Sequence, residues 1–259
     1  MKRKILPIAI LAGTVTLAPS VASAKMVEYF GQDEGLGETS RLTATPKADA
    51  ARADFLENDG ATFVESFERF EDGSFPYRTP DGRWDPGVQL RFGDGPGGSE
   101  GGPTATMITT RGTVVDQPTG TNGHGRYPTD GDKFFHSGAG EIRLQFDREL
   151  HGFGFDGIDI GDFRGELSVE LRNAQKLVHA FTLDEVVGGE GGDVLFAGVF
   201  DRENPFDTVV FNNSNPLTGD GGDVFAMDGM TVVTPVPAAL PLLGSGLAAL
   251  AWFRRRSRG

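Results

Sequence analysis

Two acidic clusters carry the most specific chemistry in this chain. Asp156, Asp159 and Asp162 follow one another at three-residue spacing among Gly157 and Gly161, and Asp220-Gly221-Gly222-Asp223 is followed by Asp228. Calcium takes six to eight oxygen ligands, and loops rich in Asp and turned backbone carbonyls supply them. Neither cluster fits the D-x-[DN]-x-[DN]-G pattern of an EF-hand, so the expected metal is a structural Ca²⁺. Asp-Gly is equally the ordinary chemistry of β-turns, and that reading stands ahead of the metal one. Glu65, Glu68 and Glu71 offer carboxylates for a glycosidase pair, which needs a second acid at a defined separation. With 37 acidic residues in the chain, such pairings arise readily by chance.

Sugar binding is the other chemistry these residues could perform. Jelly-roll sandwiches commonly stack sugar rings on exposed aromatics, and Tyr77, Trp84 and Tyr127 are the candidates for such a platform. The analogy is one of fold rather than of site. The segment Gly152-Phe153-Gly154-Phe155-Asp156-Gly157 matches G-x-G-x-x-G, yet a dinucleotide site needs a strand before it and a helix opening upon it. Here Ile158 and Ile160 continue a β pattern, so the glycines read as close backbone packing in a sheet. Gly244-Ser245-Gly246 lacks the remainder of a nucleophile elbow. His124, His136, His151 and His179 have no zinc spacing and read as loop or surface residues.

Strands must position these groups. Thirty-eight Gly and 15 Pro cut the chain into short pieces, and 20 Phe supply much of the apolar mass. Ala48 to Glu57 is the one helix expected, stopped by Asn58-Asp59-Gly60. Strands are expected at 62–68, 88–92, 142–146, 167–171, 178–183, 194–200, 208–211 and 226–233, with 93–103 and 113–132 as long connections. This pattern indicates an all-β fold, an antiparallel β-sandwich of jelly-roll type with one short N-terminal helix. The expected organisation is a signal peptide over 1–24, an N-terminal segment with the helix over 25–61, the sandwich over 62–233 and a sorting signal over 234–259.

The two ends are hydrophobic and basic. Met1-Lys2-Arg3-Lys4 precedes an apolar stretch, Ile5 to Leu17, and Ala22-Ser23-Ala24 has the small-x-small form of a signal peptidase site. At the other end Pro235-Val236-Pro237 leads into Ala238 to Phe253, then Arg254, Arg255, Arg256 and Arg258. At 1.5 Å per residue that run spans roughly 24 Å, just short of a comfortable membrane crossing. The arginines act as a stop signal held on the cytoplasmic side, so the segment reads as a temporary tether. Removing both ends leaves 17 basic against 37 acidic residues, a charge of about −20. So acidic a passenger excludes nucleic acid as a partner. With no cysteine, it gains nothing from disulfides.

Val236-Pro237-Ala238-Ala239-Leu240-Pro241-Leu242-Leu243-Gly244 followed by Arg254-Arg255-Arg256 resembles the PEP-CTERM sorting signal in its VPLPA-type variant, with Val236 where that variant usually has leucine. The resemblance implies a Gram-negative-type bacterium and cleavage by an exosortase-type membrane protease. It also implies release to the cell surface or extracellular matrix, where exopolysaccharide is a natural partner. Four passenger fragments are similar to ectodomains that precede this tail: Ala51–Glu68, Gly125–Phe135, Phe153–Asp162 and Phe225–Val232. The function expected on this basis is non-enzymatic, structural or polymer-binding, with a polysaccharide hydrolase using paired carboxylates as the alternative. The intact mass of the released protein tests the sorting reading. The expected N-terminus is Lys25 with the arginine cluster removed, whereas uncleaved chain recovered from cytosol would overturn it.

Overall fold

The structure is a computed structural model that describes residues 26–73, 88–93, 101–109, 112–138, 140–161, 166–183, 191–214 and 224–235. Ala22, Ala24, Tyr77, Trp84, Asp162, Asp220, Asp223, Val236, Pro237, Ala238 and Arg254 to Arg256 lie outside the described residues. No helix among the described residues is long and apolar enough to cross a membrane.

Thirteen strands and one helix follow in the order β1 (Val27–Asp33), α1 (Pro46–Leu56), β2 (Ala61–Glu65), β3 (Val88–Arg91), β4 (Thr104–Thr109), β5 (Gly112–Asp116), β6 (Lys133–Ser137), β7 (Gly140–Leu150), β8 (Gly152–Ile158), β9 (Glu166–Asn173), β10 (Lys176–Thr182), β11 (Val194–Phe200), β12 (Phe206–Ser214) and β13 (Ala226–Thr234). They form two antiparallel sheets. The first runs β1-β11-β8-β13-β6-β5, with β2 also on β13, and the second runs β10-β9-β12-β7-β4-β3. The arrangement is sandwich-like, with the helix laid on the outer face of the first sheet.

That third layer explains where simple alternation fails. Strand β7 alternates as expected, burying Ile142, Leu144 and Phe146. Strands β8, β11 and β13 are buried along their whole length, because the second sheet covers one face and α1 with its flanking loops covers the other. Their side chains divide accordingly. Phe153, Phe155, Leu195, Val199 and Val232 enter the main core between the sheets. Phe196, Phe200, Ile158 and Val233 enter a second core with Ala48, Ala51 and Phe55 of the helix. The β8 glycines make this second core possible, since a Cβ at Gly154 would stand 2.6 Å from the Phe196 ring. The G-x-G-x-x-G segment is thus a strand pressed against aromatic rings.

Several elements depart from expectation. The segment 25–61 contributes β1 to the first sheet, where Val27 to Asp33 pair with Phe200 to Val194. The sheet therefore begins well before residue 62. The helix starts at Pro46, two residues earlier than the Ala48 expected, because Pro is well suited to a first helical turn. Its open N–H groups are satisfied from a distance, Lys47 and Ala48 both donating to the Asp33 carboxylate at 3.0 Å. Strands β4, β5 and β6 also emerge where no strand was expected, with β5 occupying the first residues of the 113–132 stretch. Gly112 and Gly140 punctuate these short strands and conceal them from a periodicity reading.

Phe155 is fully buried between the sheets, edge-on to Phe211 at a centroid distance of 5.1 Å. Phe155→Ala should cost about 3–5 kcal/mol through lost burial and the cavity left behind. Leu177→Ser, at an exposed position, should change stability by less than about 0.5 kcal/mol. Denaturant unfolding of the two variants measures both.

Candidate functional site

Strand β13 has β8 along one side but two successive neighbours on the other, β6 at Ala226–Met227 and β2 at Met230–Thr234. A register shift falls between Asp228 and Thr231, where the neighbour changes. Backbone donors near this break need an acceptor, and Asp228 provides it. Its carboxylate accepts from the N–H groups of Thr129 (2.8 Å), Asp130 (2.9 Å) and Gly229 (2.7 Å). Asp156 lies directly opposite on β8. Its Oδ2 accepts from the Thr129 hydroxyl at 2.6 Å and pairs with the Arg52 guanidinium from α1. The same hydroxyl stands 3.2 Å from Asp228.

Two of the sequence-selected carboxylates thus come together from segments 72 residues apart, as part of an ion network in the dry layer between helix and sheet. Burial pushes the Asp156 carboxyl above its ordinary range, against the opposing pull of Arg52. The fully buried Asp228 is pushed well above, first by burial, with its backbone hydrogen bonds opposing. The third described member of the set, Asp159, stands apart. It occupies a left-handed conformation (φ 62°) just after β8, accepts from Gly192 N–H at 3.0 Å and pairs with buried Arg126 at 2.9 Å. Asp156 and Asp159 therefore each face a guanidinium. Among the described residues no group of three or more acidic or histidine side chains is arranged to hold a metal ion.

The other sequence candidates are mostly engaged in structure. Tyr127 is only 2 % exposed, so it cannot serve as a stacking platform. Its hydroxyl donates to the Gly192 carbonyl at 3.0 Å and accepts from Leu42 N–H at 3.1 Å, pinning two loops together. Burial raises its phenol, more than the Leu42 hydrogen bond and nearby Arg41 lower it. Glu65 is buried against Arg69 and holds Phe67 N–H at 2.9 Å, stabilising the left-handed turn at that fully buried phenylalanine. Glu68 accepts from the backbone of Asp132 and Lys133 at 2.8 and 2.7 Å. Burial, with Arg126 nearby, depresses His136 to about 4, and His179 pairs with Glu28 across the two sheet edges at 2.9 Å.

What sequence reasoning missed is a polar cleft of about 240 Å³ where the approach to α1 meets the 127–129 segment. It is lined by Arg41, Thr43, Thr45 and Asp49 and by Tyr127, Pro128 and Thr129. Arg41 lies over the Tyr127 ring with its Cζ 5.3 Å from the centroid. Because Asp33 caps the helix, Thr45 makes no side-chain capping bond, and its hydroxyl is left to the cleft. Thr129 joins the cleft to the buried Asp156–Asp228 pair beneath it. The only signal in the sequence was Thr43-Ala44-Thr45-Pro46, which reads as an ordinary helix start.

No family model matches the chain, and no curated protein matches it. Among solved structures it is similar to the K2 cleaved adhesin domain of Lys-gingipain, at 13% identity and a TM-score of 0.39, covering 67% of this chain and 98% of that one. A second is a DUF4465 family protein from Bacteroides ovatus, at 12% identity and a TM-score of 0.35, covering 68% and 99%.

Removing Arg52 would leave Asp156 and Asp228 buried without their cation. Arg52→Ala should therefore cost about 3–5 kcal/mol near neutral pH. An acid whose pKa is raised by folding gains protons in the native state, so stability falls as pH rises above its unfolded value near 4. Without Arg52 that rise is larger, so the penalty should be greatest at pH 8 and shrink toward pH 5. Thermal melts of both proteins across that range measure it, and a pH-independent penalty would contradict the network.

Proposed function

We propose that this chain is an exported, jelly-roll-like sandwich protein, released from a C-terminal membrane tether by an exosortase-type protease. At the cell surface or in the extracellular matrix it binds polysaccharide without cleaving it. The sorting part of the reading rests on the two hydrophobic, basic ends and the Val236-Pro237-Ala238 motif. The binding part rests on one observation, the open polar cleft lined by Arg41, Thr43, Thr45, Asp49 and Thr129. Hydroxyl and charged groups at the end of a rigid sandwich are the chemistry that orients sugar hydroxyls. The cleft is smaller than the ~300–1,000 Å³ of drug-sized sites, which suits one ring of a longer chain lying across the surface. The strongly acidic passenger repels anionic lipid and nucleic acid, leaving short-range polar contacts to select a partner.

The released protein should be retained on immobilised exopolysaccharide from its own host, and the double variant Thr43→Val, Thr45→Val should be retained several-fold less. Reducing ends in the polysaccharide should stay constant on prolonged incubation. Their steady increase would replace the binding reading with the hydrolase one, and no retention of the unmodified protein would remove it.

A further inference from the structure

The cleft contains a cation with no anion assigned to it. Arg41 is half-buried and stacked over the Tyr127 ring, and among the described residues no carboxylate pairs with it. This differs from the other arginines near the helix. Arg52 is held by Asp156 and Asp49, and Arg126 by Asp159. In a passenger with 37 acidic residues, an arginine left without a carboxylate is an unusual local choice.

Stacking on an aromatic face fixes the plane of a guanidinium while leaving its edge N–H donors available. Tyr127 is itself fixed by hydrogen bonds to Gly192 and Leu42, so the platform under Arg41 is rigid. A planar donor fork held in this way matches a carboxylate, which it can bind through two parallel hydrogen bonds. Thr43, Thr45 and the exposed Asp49 line the same cleft, and Thr45 makes no side-chain capping bond. Asp49 can accept from a ring hydroxyl but repels a second carboxylate. The cleft therefore combines a carboxylate-binding group, Arg41, with a hydroxyl-accepting one, Asp49.

We infer that the cleft reads the carboxylate of a uronic acid residue within an acidic polysaccharide, with Arg41 as the specificity-determining group. This rests on the polysaccharide-binding reading above and narrows it to one class of sugar. The short-range fork at Arg41 then provides what the overall charge opposes, namely selection of an anionic polymer by a negatively charged protein.

Calorimetric titration of the purified full-length chain in mild detergent tests this with three probes: tetragalacturonate, neutral tetragalactose and a sulfated tetragalactose. Tetragalacturonate should bind at least about tenfold more tightly than the neutral tetramer, the scale of one charge-assisted bidentate pair. Arg41→Ala should abolish that preference, and Arg41→Lys should restore only part of it, since an ammonium lacks the fork. Unchanged melting midpoints would confirm that both variants are folded. Equal affinity for the acidic and neutral tetramers, or a preference that survives Arg41→Ala, would overturn the uronate assignment while leaving polysaccharide binding intact. Tighter binding of the sulfated probe would overturn it too, in favour of a tetrahedral oxyanion. If none of the three binds, the polysaccharide reading fails and this inference fails with it.

Discussion

The ion network of Arg52, Asp156, Asp228 and Thr129 is the constraint on which the rest of the architecture depends. It sits where β13 changes neighbours, so it closes a gap in the hydrogen-bonding of the first sheet with a side chain instead of a strand. It also fastens α1 to that sheet through a buried charge pair. Desolvation makes such a pair a poor source of net stability, yet breaking it exposes an uncompensated charge in a dry layer. Its role is accordingly one of position. It fixes where the helix lies and hence where the loops before it can run.

Around this network the packing follows from size. Glycines at 152 and 154 on the outer face of β8 leave room for the rings of Phe55, Phe196 and Phe200, while Phe153 and Phe155 point to the opposite side. One strand thus serves two cores, which lets a cysteine-free passenger build three packed layers. The aromatic pairs in both cores, such as Tyr29 with Phe55 and Phe155 with Phe211, meet edge-on at 5.5 and 5.1 Å, the geometry ring quadrupoles favour. The polar cleft is a by-product of the same layering. It forms at the rim where the helix start, capped by Asp33 from β1, approaches the 127–129 segment anchored by Asp228.

The legibility of the site was uneven for a physical reason. Asp156 and Asp228 were visible as acids beside glycines, and both do lie at one place. Their ligand was not visible, because an arginine on a helix 104 residues from Asp156 carries no local mark of its partner. The same holds for Tyr127, whose composition-level reading as a sugar platform gave way to burial against the 41–42 and 192 backbone. Arg41 and Thr45 had no signal beyond that of a common helix start, since their availability depends on Asp33 and Tyr127 reaching them through space.

Period-two alternation, abundant Gly and Pro and a single run of helix formers were enough to determine an antiparallel two-sheet protein with one short helix. They were also enough to find β9, β11 and β13 close to their observed limits. Those features are local, because a strand covered on one face must alternate and a helix must avoid glycine. Tertiary structure alone decided that residues 27–33 form an edge of the first sheet, that β8, β11 and β13 are covered on both faces, and that Asp156 and Asp159 meet arginines. Each of these depends on which distant segment supplies the second face or the opposite charge, and nothing in the spacing of neighbouring residues encodes that choice.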